Sequence, residues 1–600
     1  MAKRTDIPKR SEVDPVYQWR LSDIYADTAA WESDFKKAQA LIQDMESCKG
    51  TLSGGGSNVL KALRTYADLN RVVERLFVYA YMKKDEDNAN TEAQARMDRA
   101  QSLSVQASTA ASFLTPELLT IPEDTLAGYM EDDDFSEYSH FLHNVNRQRA
   151  HTLGEKEEQL LAMAGEVAEA PRQVFLMLNN ADMKFPNIKD EEGHEVEMSH
   201  GRYIRFLESK DRSVRKAAYE AMYDTFIKQK NTISTAYSYS VKKDLFLSKA
   251  RKYSSARAMS LDEDNVPESV YDNLIASVRA HLPALQRYLD IRRRVLGLKK
   301  LHMYDVYVPL MEDVHMHVPY DEGKQMILTG LSGMGAEYGE LLKESYSGGW
   351  IDVMENQGKT SGAYSWGCYD SHPYVLMNYQ DTVDSVFTLA HELGHSMHSY
   401  LSNKHQPYMK AEYTIFVAEV ASTCNEIQLT HYLLDTLEDK AKRAYILNYY
   451  LEQVRTTVFR QTMFAEFEKM SHASAESGEP LTVDSMSGMY RKLNEDYFGE
   501  HVDVDDRIAM EWLRIPHFYR PFYVYKYATG FSAAAALAGM IRDEGQSAVD
   551  RYLDFLSSGC SAYPIDLLQK AGVDMTTPAP VDKALDEFSE LVEKMDGLLG

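Results

Sequence analysis

The stretch Asp381 to Tyr400, DTVDSVFTLAHELGHSMHSY, constrains this chain more than any other. Val383, Val386, Phe387, Ala390, Leu393 and Met397 recur at steps of three and four, which predicts an amphipathic helix packed on a core. Asp381 offers an N-cap and Asp384 an acidic first turn. Inside the helix lies His391-Glu392-Leu393-Gly394-His395. The i, i+4 spacing puts both imidazoles on one face. Glu392 sits about 100° round the helix, where a carboxylate reaches a metal-bound water. Two neutral imidazoles one turn apart can grip a single zinc ion.

A catalytic zinc takes three protein ligands and keeps one position for water. Two residues compete for the third place. His398 lies near the same face, but residues 391 and 398 are about 10.5 Å apart along a helix axis. With bonds of only about 2 Å, three side chains of one straight helix cannot readily converge on one ion. That argument makes His398 a supporting or packing group, with direct ligation the alternative. Glu419, in FVAEVASTCNE, is 24 positions beyond His395. It comes from the next predicted helix, Tyr413 to Leu433, folded back on the first. Glu426, two turns on along the same face, is placed to accept the Nδ1–H of a ligand histidine.

Just before the motif the helical pattern breaks. Trp350 to Tyr379 reads as short strands, WIDVM, GAYSWGC and PYVLMNY, joined by Gly- and Asn-bearing turns. A strand beside a peptidase metal can pair with an extended peptide through its backbone. Tyr374, Val375, Leu376, Met377 and Asn378 are the expected substrate strand; the alternative is an insert that only caps the helix.

Elsewhere the pattern is helical. A loose tail is expected over residues 1–15 and a hairpin within Met183 to Ser199. The expected domains are an N-terminal helical region, 1–200, and a catalytic zinc-peptidase domain, 201–600. The net charge of −26 argues against nucleic acid as a partner. No apolar run approaches the ~20 residues of a membrane helix, and the charged N-terminus shows no signal peptide. Four widely separated cysteines match no disulfide or zinc-knuckle pattern, so the cytoplasm is the expected compartment. The sequence sets no oligomeric state.

HELGHSMH, the Glu419/Glu426 pair, GAYSWGCYDSHPYVLMNY and IPHFYRPFYVYKYATG together resemble oligoendopeptidase F, in the thimet-oligopeptidase family of zinc metallopeptidases. WRLSDIY near the start and LLQKAGVDM near the end extend the likeness over most of the chain. The resemblance implies a mainly α fold: a large helical body with a deep central channel between two helical halves, and a small β-sheet beside the zinc-motif helix. It implies one zinc per chain, held by His391, His395 and Glu419, with the zinc-bound water as nucleophile and Glu392 as general base. It also implies His517, Tyr523 and Tyr527 as groups facing the scissile carbonyl. The expected activity is internal cleavage of short, unstructured oligopeptides. The competing expectations are a zinc metallocarboxypeptidase and a non-catalytic helical peptide-binding protein with a structural zinc.

Overall fold

A computed structural model describes residues 6–311, 314 and 316–599. The chain is mainly helical, with seven short strands among the described residues. No described helix is long and apolar enough to cross a membrane. Compactness divides the chain along different lines from a linear boundary at residue 200. One unit comprises Met1–Ala150, His315–Tyr432 and Leu537–Val573; the other comprises His151–Val314, Leu433–Ala536 and Asp574–Gly600.

In the first unit, three long helices, Thr28–Cys48, Gly56–Glu86 and Thr91–Ala111, pack side by side. Their apolar faces, with Trp31, Leu63, Leu69 and Leu76 each at most 1% exposed, form a core that continues through Cys368, Tyr374 and Leu376. The small sheet rests on this core; the Trp19 ring meets Tyr374 edge-on at 6.2 Å. The tail is not loose where it is described. Val13 is buried, and the Arg10 guanidinium donates to Asp352 Oδ1 at 2.7 Å, a buried carboxylate that needs a counter-charge.

The second unit packs helices including Arg212–Ile227, Glu268–Ala280, Lys440–Val454, Arg460–Glu476, Val483–Phe498 and Ala579–Leu599. The expected hairpin is present, with Asn187–Lys189 antiparallel to Glu195–Glu197 and Gly193 supplying a φ of +83° in the turn.

Candidate active site

The motif helix runs Val383–His405. Its cap is Thr382, not Asp381: the Thr382 hydroxyl accepts the Ser385 N–H, while Asp381 takes a left-handed φ of +53° that turns the chain into the helix. Val386, Phe387, Ala390, Leu393 and Met397 are each at most 1% exposed, so the apolar stripe is fully buried. The neighbouring helix, Ile415–Thr436, approaches backbone to backbone. A Cβ on Gly394 would stand 2.5 Å from Ser422 Cα and 2.7 Å from Ala421 O. Any larger residue at 394 would hold the helices apart. This close approach carries Glu419 to the histidine pair.

His391 Nε2 and His395 Nε2 lie 3.2 Å apart. Glu419 Oε2 lies 3.4 Å from the first and 3.5 Å from the second. Three ligand atoms at zinc bond lengths of about 2.0–2.1 Å on a tetrahedron are separated by about 3.3–3.4 Å. The donor triangle therefore fits one such ion in size and chemistry, with three protein donors and one tetrahedral corner left over.

The electrostatics favour a cation. Burial alone would push His391 down, but the Glu426 carboxylate, 2.5 Å from its Nδ1, with Glu392 and Glu419 nearby, pushes it up to about 9. Burial would raise Glu419, yet the two histidines and Ser422 hold it down to about 2. Glu426 is 8% exposed and occupies the Nδ1 side of His391, so Nε2 is the nitrogen that faces the triangle.

Glu392 is 8% exposed, and burial raises its pKa against the pull of the two imidazoles. One turn on, the Ser396 hydroxyl of the same helix lies 2.8 Å from the Ser365 hydroxyl. That contact locates the sheet. The strand order is Ile351–Asp352, Tyr374–Leu376, Tyr364–Trp366, with the middle strand parallel to the first and antiparallel to the last. The expected substrate strand is thus central. Val375 N–H donates to Trp350 O at 2.8 Å and Met377 N–H to Asp352 O at 2.8 Å. Leu376 is paired with Tyr364 on the other side, and the Asn378 side chain is held by Thr360 O and Gly362 O. Residues 374–376 have no open edge for a further strand. Tyr364–Trp366 is an edge strand, and it is the one that touches the motif helix, through the Ser365 and Ser396 hydroxyls.

His398 is 1% exposed and stacks on Tyr413 at 3.6 Å between ring centroids, with Phe555 on another side at 5.6 Å. Burial pushes it down to about 3, so it stays neutral. It lies in aromatic packing rather than in the donor triangle.

His517, Tyr523 and Tyr527 belong to the second unit and cluster there. Tyr523 and Tyr527 meet edge-on at 5.5 Å, and Tyr527 Oη lies 3.4 Å from His517 Nε2. Phe522, just before Tyr523, has a φ of +52°, an outlier for a bulky residue. Three contacts brace the segment: Phe522 N–H donates to Glu468 Oε1 at 3.0 Å, the Ser260 hydroxyl donates to Pro521 O at 2.8 Å, and Lys526 Nζ pairs with Asp264 at 2.6 Å.

Sequence reasoning missed Gly394, Ser365 and Glu468. A signal existed for Gly394 alone, because a glycine in mid-helix needs a packing reason. Ser365 meets Ser396 and Glu468 meets the Phe522 N–H across long sequence separations, which no local pattern announces.

The residue pattern and geometry are those of a metallopeptidase, and comparison with known proteins agrees on that class. Residues 205–587 match the model of peptidase family M3, and residues 117–185 match oligopeptidase F. The chain is 48% identical to oligopeptidase PepF of Bacillus subtilis (strain 168), over 100% of this chain and 89% of that one. It is 40% identical to group B oligopeptidase PepB of Streptococcus agalactiae, over 98% of both. The crystal structure of oligoendopeptidase-F from Enterococcus faecium superposes with a TM-score of 0.74 at 39% identity, covering 94% of this chain and 98% of that one. The chain belongs to peptidase family M3.

Proposed function

We propose that this chain is a zinc-dependent endopeptidase that hydrolyses internal bonds of short, unstructured oligopeptides. The observation that carries the reading is the donor triangle of His391, His395 and Glu419, sized for one tetrahedral ion, with the Glu392 carboxylate beside it. Zinc bound there would supply a Lewis acid that polarises the peptide carbonyl and makes a water acidic near neutral pH. Glu392, its basicity raised by burial, takes the proton of the attacking water and delivers it to the leaving amine. Glu426 holds His391 in the tautomer that offers Nε2. The substrate backbone pairs with the edge strand Tyr364–Trp366, so that main-chain hydrogen bonds select an extended peptide regardless of its side chains. The family resemblance further implies His517, Tyr523 and Tyr527 as hydrogen-bond donors to an oxyanion; one such donor is worth about 3–4 kcal/mol of barrier. Names of relatives that specify oligopeptides support the substrate class. The four cysteines are free thiols, which suits work in the cytoplasm.

A quenched fluorescent peptide blocked at both ends tests the reading. Internal cleavage that stops with a chelator and returns with zinc is expected. Cleavage confined to the C-terminus of an unblocked peptide would replace endopeptidase by carboxypeptidase. Full activity after complete metal removal would end the zinc assignment.

A further inference from the structure

Within the second unit, the long helical run that begins at Lys440 contains one π-turn, Arg455–Phe459. In an unbroken α-helix, residues 455 and 460 would point about 140° apart. The i→i+5 turn brings both arginines to one side. They face a cavity also lined by Arg514, Tyr203, Tyr307 and Asn494. Its volume is about 10 Å³, at the lower limit for one water-sized particle.

The charges around this cavity do not balance. Glu452 receives Arg455 at 2.6 Å and Arg292 at 3.2 Å. Glu511 receives Arg460 at 2.5 Å and Arg514 at 3.5 Å. Arg292 is 1% exposed, and Arg455 and Glu511 are each 2% exposed, while the side chains of Arg460, Arg514 and Glu452 are partly buried, at 15%, 18% and 24%. Glu511 also accepts the Tyr223 and Tyr490 hydroxyls, at 3.0 and 2.7 Å, so its oxygens are fully engaged. Asp505, the next carboxylate, accepts the Tyr219 hydroxyl and the backbone N–H groups of Arg507 and Ile508, and pairs with none of these arginines. Among the described residues, four guanidinium groups thus share two carboxylates, and even with Asp505 counted one positive charge is left over. Buried charges are ordinarily paired. Arg514 Nε has no hydrogen-bond partner among the described residues. A water would satisfy Asn494 Oδ1, which is also unpartnered, but would leave the positive charge uncompensated.

We propose that this cavity is a binding site for one small monovalent anion of halide size, held by Arg455, Arg460 and Arg514. The site supplies the missing negative charge and ties the π-turn to the 3₁₀ segment Ile508–Arg514. It depends neither on the metal nor on peptide cleavage, so its test is separate from that of the proposed activity.

The probe is chloride, with bromide as its heavy counterpart. The full chain is melted in gluconate, an anion too large for the cavity, with gluconate replaced stepwise by chloride at constant ionic strength. The melting temperature should rise saturably, by at least about 2 °C. Arg514→Met, which leaves Glu511 paired with Arg460, should fold and lose this dependence. Crystals of the unmodified chain soaked in bromide should show an anomalous peak within hydrogen-bond reach of Arg460 and Arg514. A bromide-free cavity, or a melting temperature indifferent to chloride, overturns the proposal whether or not the variant folds.

Discussion

Gly394 and Ser422 meet backbone to backbone: a side-chain carbon on the first would stand 2.5 Å from the Cα of the second. An ordinary mid-helix glycine weakens its helix by about 0.5–1 kcal/mol relative to alanine. Here the contact reverses that sign. Gly394→Ala should destabilise the protein by about 1–3 kcal/mol through overpacking and lower zinc affinity at least about tenfold, because the helices that carry the donors move apart. Thermal melts and zinc titration check both effects. A more stable variant with unchanged affinity would show that the close approach does not position Glu419.

Glu392→Gln keeps the shape of the side chain and removes its basicity. The donor triangle does not include it, so zinc content should stay at one per chain while kcat falls by at least about three decades. Stoichiometry by elemental analysis and single-turnover peptide cleavage separate the two. Near-normal cleavage would remove Glu392 from the mechanism.

Glu419 and His398 part company under substitution. Glu419→Ala opens one corner of the donor triangle and should release metal under mild dialysis. His398→Ala removes a ring stacked on Tyr413 at 3.6 Å, a change in packing. It should lower thermal stability by about 1–3 kcal/mol and leave zinc in place. The reverse pattern of metal loss would exchange the two roles.

What was legible in the sequence follows from the range of each interaction. The helix around His391 and His395 is written in 3.6-residue spacing, and the next helix in a second apolar run, so Glu419 and Glu426 could be found before any coordinates. The strands around residues 351–376 were legible as strands, but their order was not. Tyr374–Leu376 is buried on both faces, and a continuous apolar run is what a central strand looks like. That same run hides which neighbour leaves an edge open, because pairing is a non-local choice. The interleaving of three chain segments in each unit is non-local for the same reason, as is the hold of Glu468 on the strained backbone at Phe522. The N-cap at Thr382 rather than Asp381 turns on a single left-handed φ, below the resolution of a composition rule.

Glu426 tests how much the outer carboxylate contributes. Glu426→Gln retains an acceptor for the Nδ1–H of His391 but loses the charge that favours a cation beside it. Zinc affinity should fall about 10–100-fold with the fold intact. Competition with a chromogenic chelator gives the number. An unchanged affinity would confine Glu426 to packing.

Glu74 lies in the first unit, on the helix Gly56–Glu86, well away in sequence from every proposed ligand. Burial pushes its carboxyl up to about 7, the Tyr369 N–H opposes this, and Glu412 and Asp370 add to it. The ordinary value is 4.5, so between these limits the folded chain holds a proton that the unfolded chain releases. The contribution is therefore fully present below about pH 4.5 and is lost as pH rises through about 7. The full shift corresponds to something on the order of 3 kcal/mol. Glu74→Gln mimics the protonated form and cannot ionise. Against the unmodified chain it should be nearly neutral in stability at pH 5 and more stable at pH 8, a crossover that denaturant melts at the two pH values resolve. Parallel stability curves for the two proteins would mean that Glu74 is solvated and ionised in the folded state.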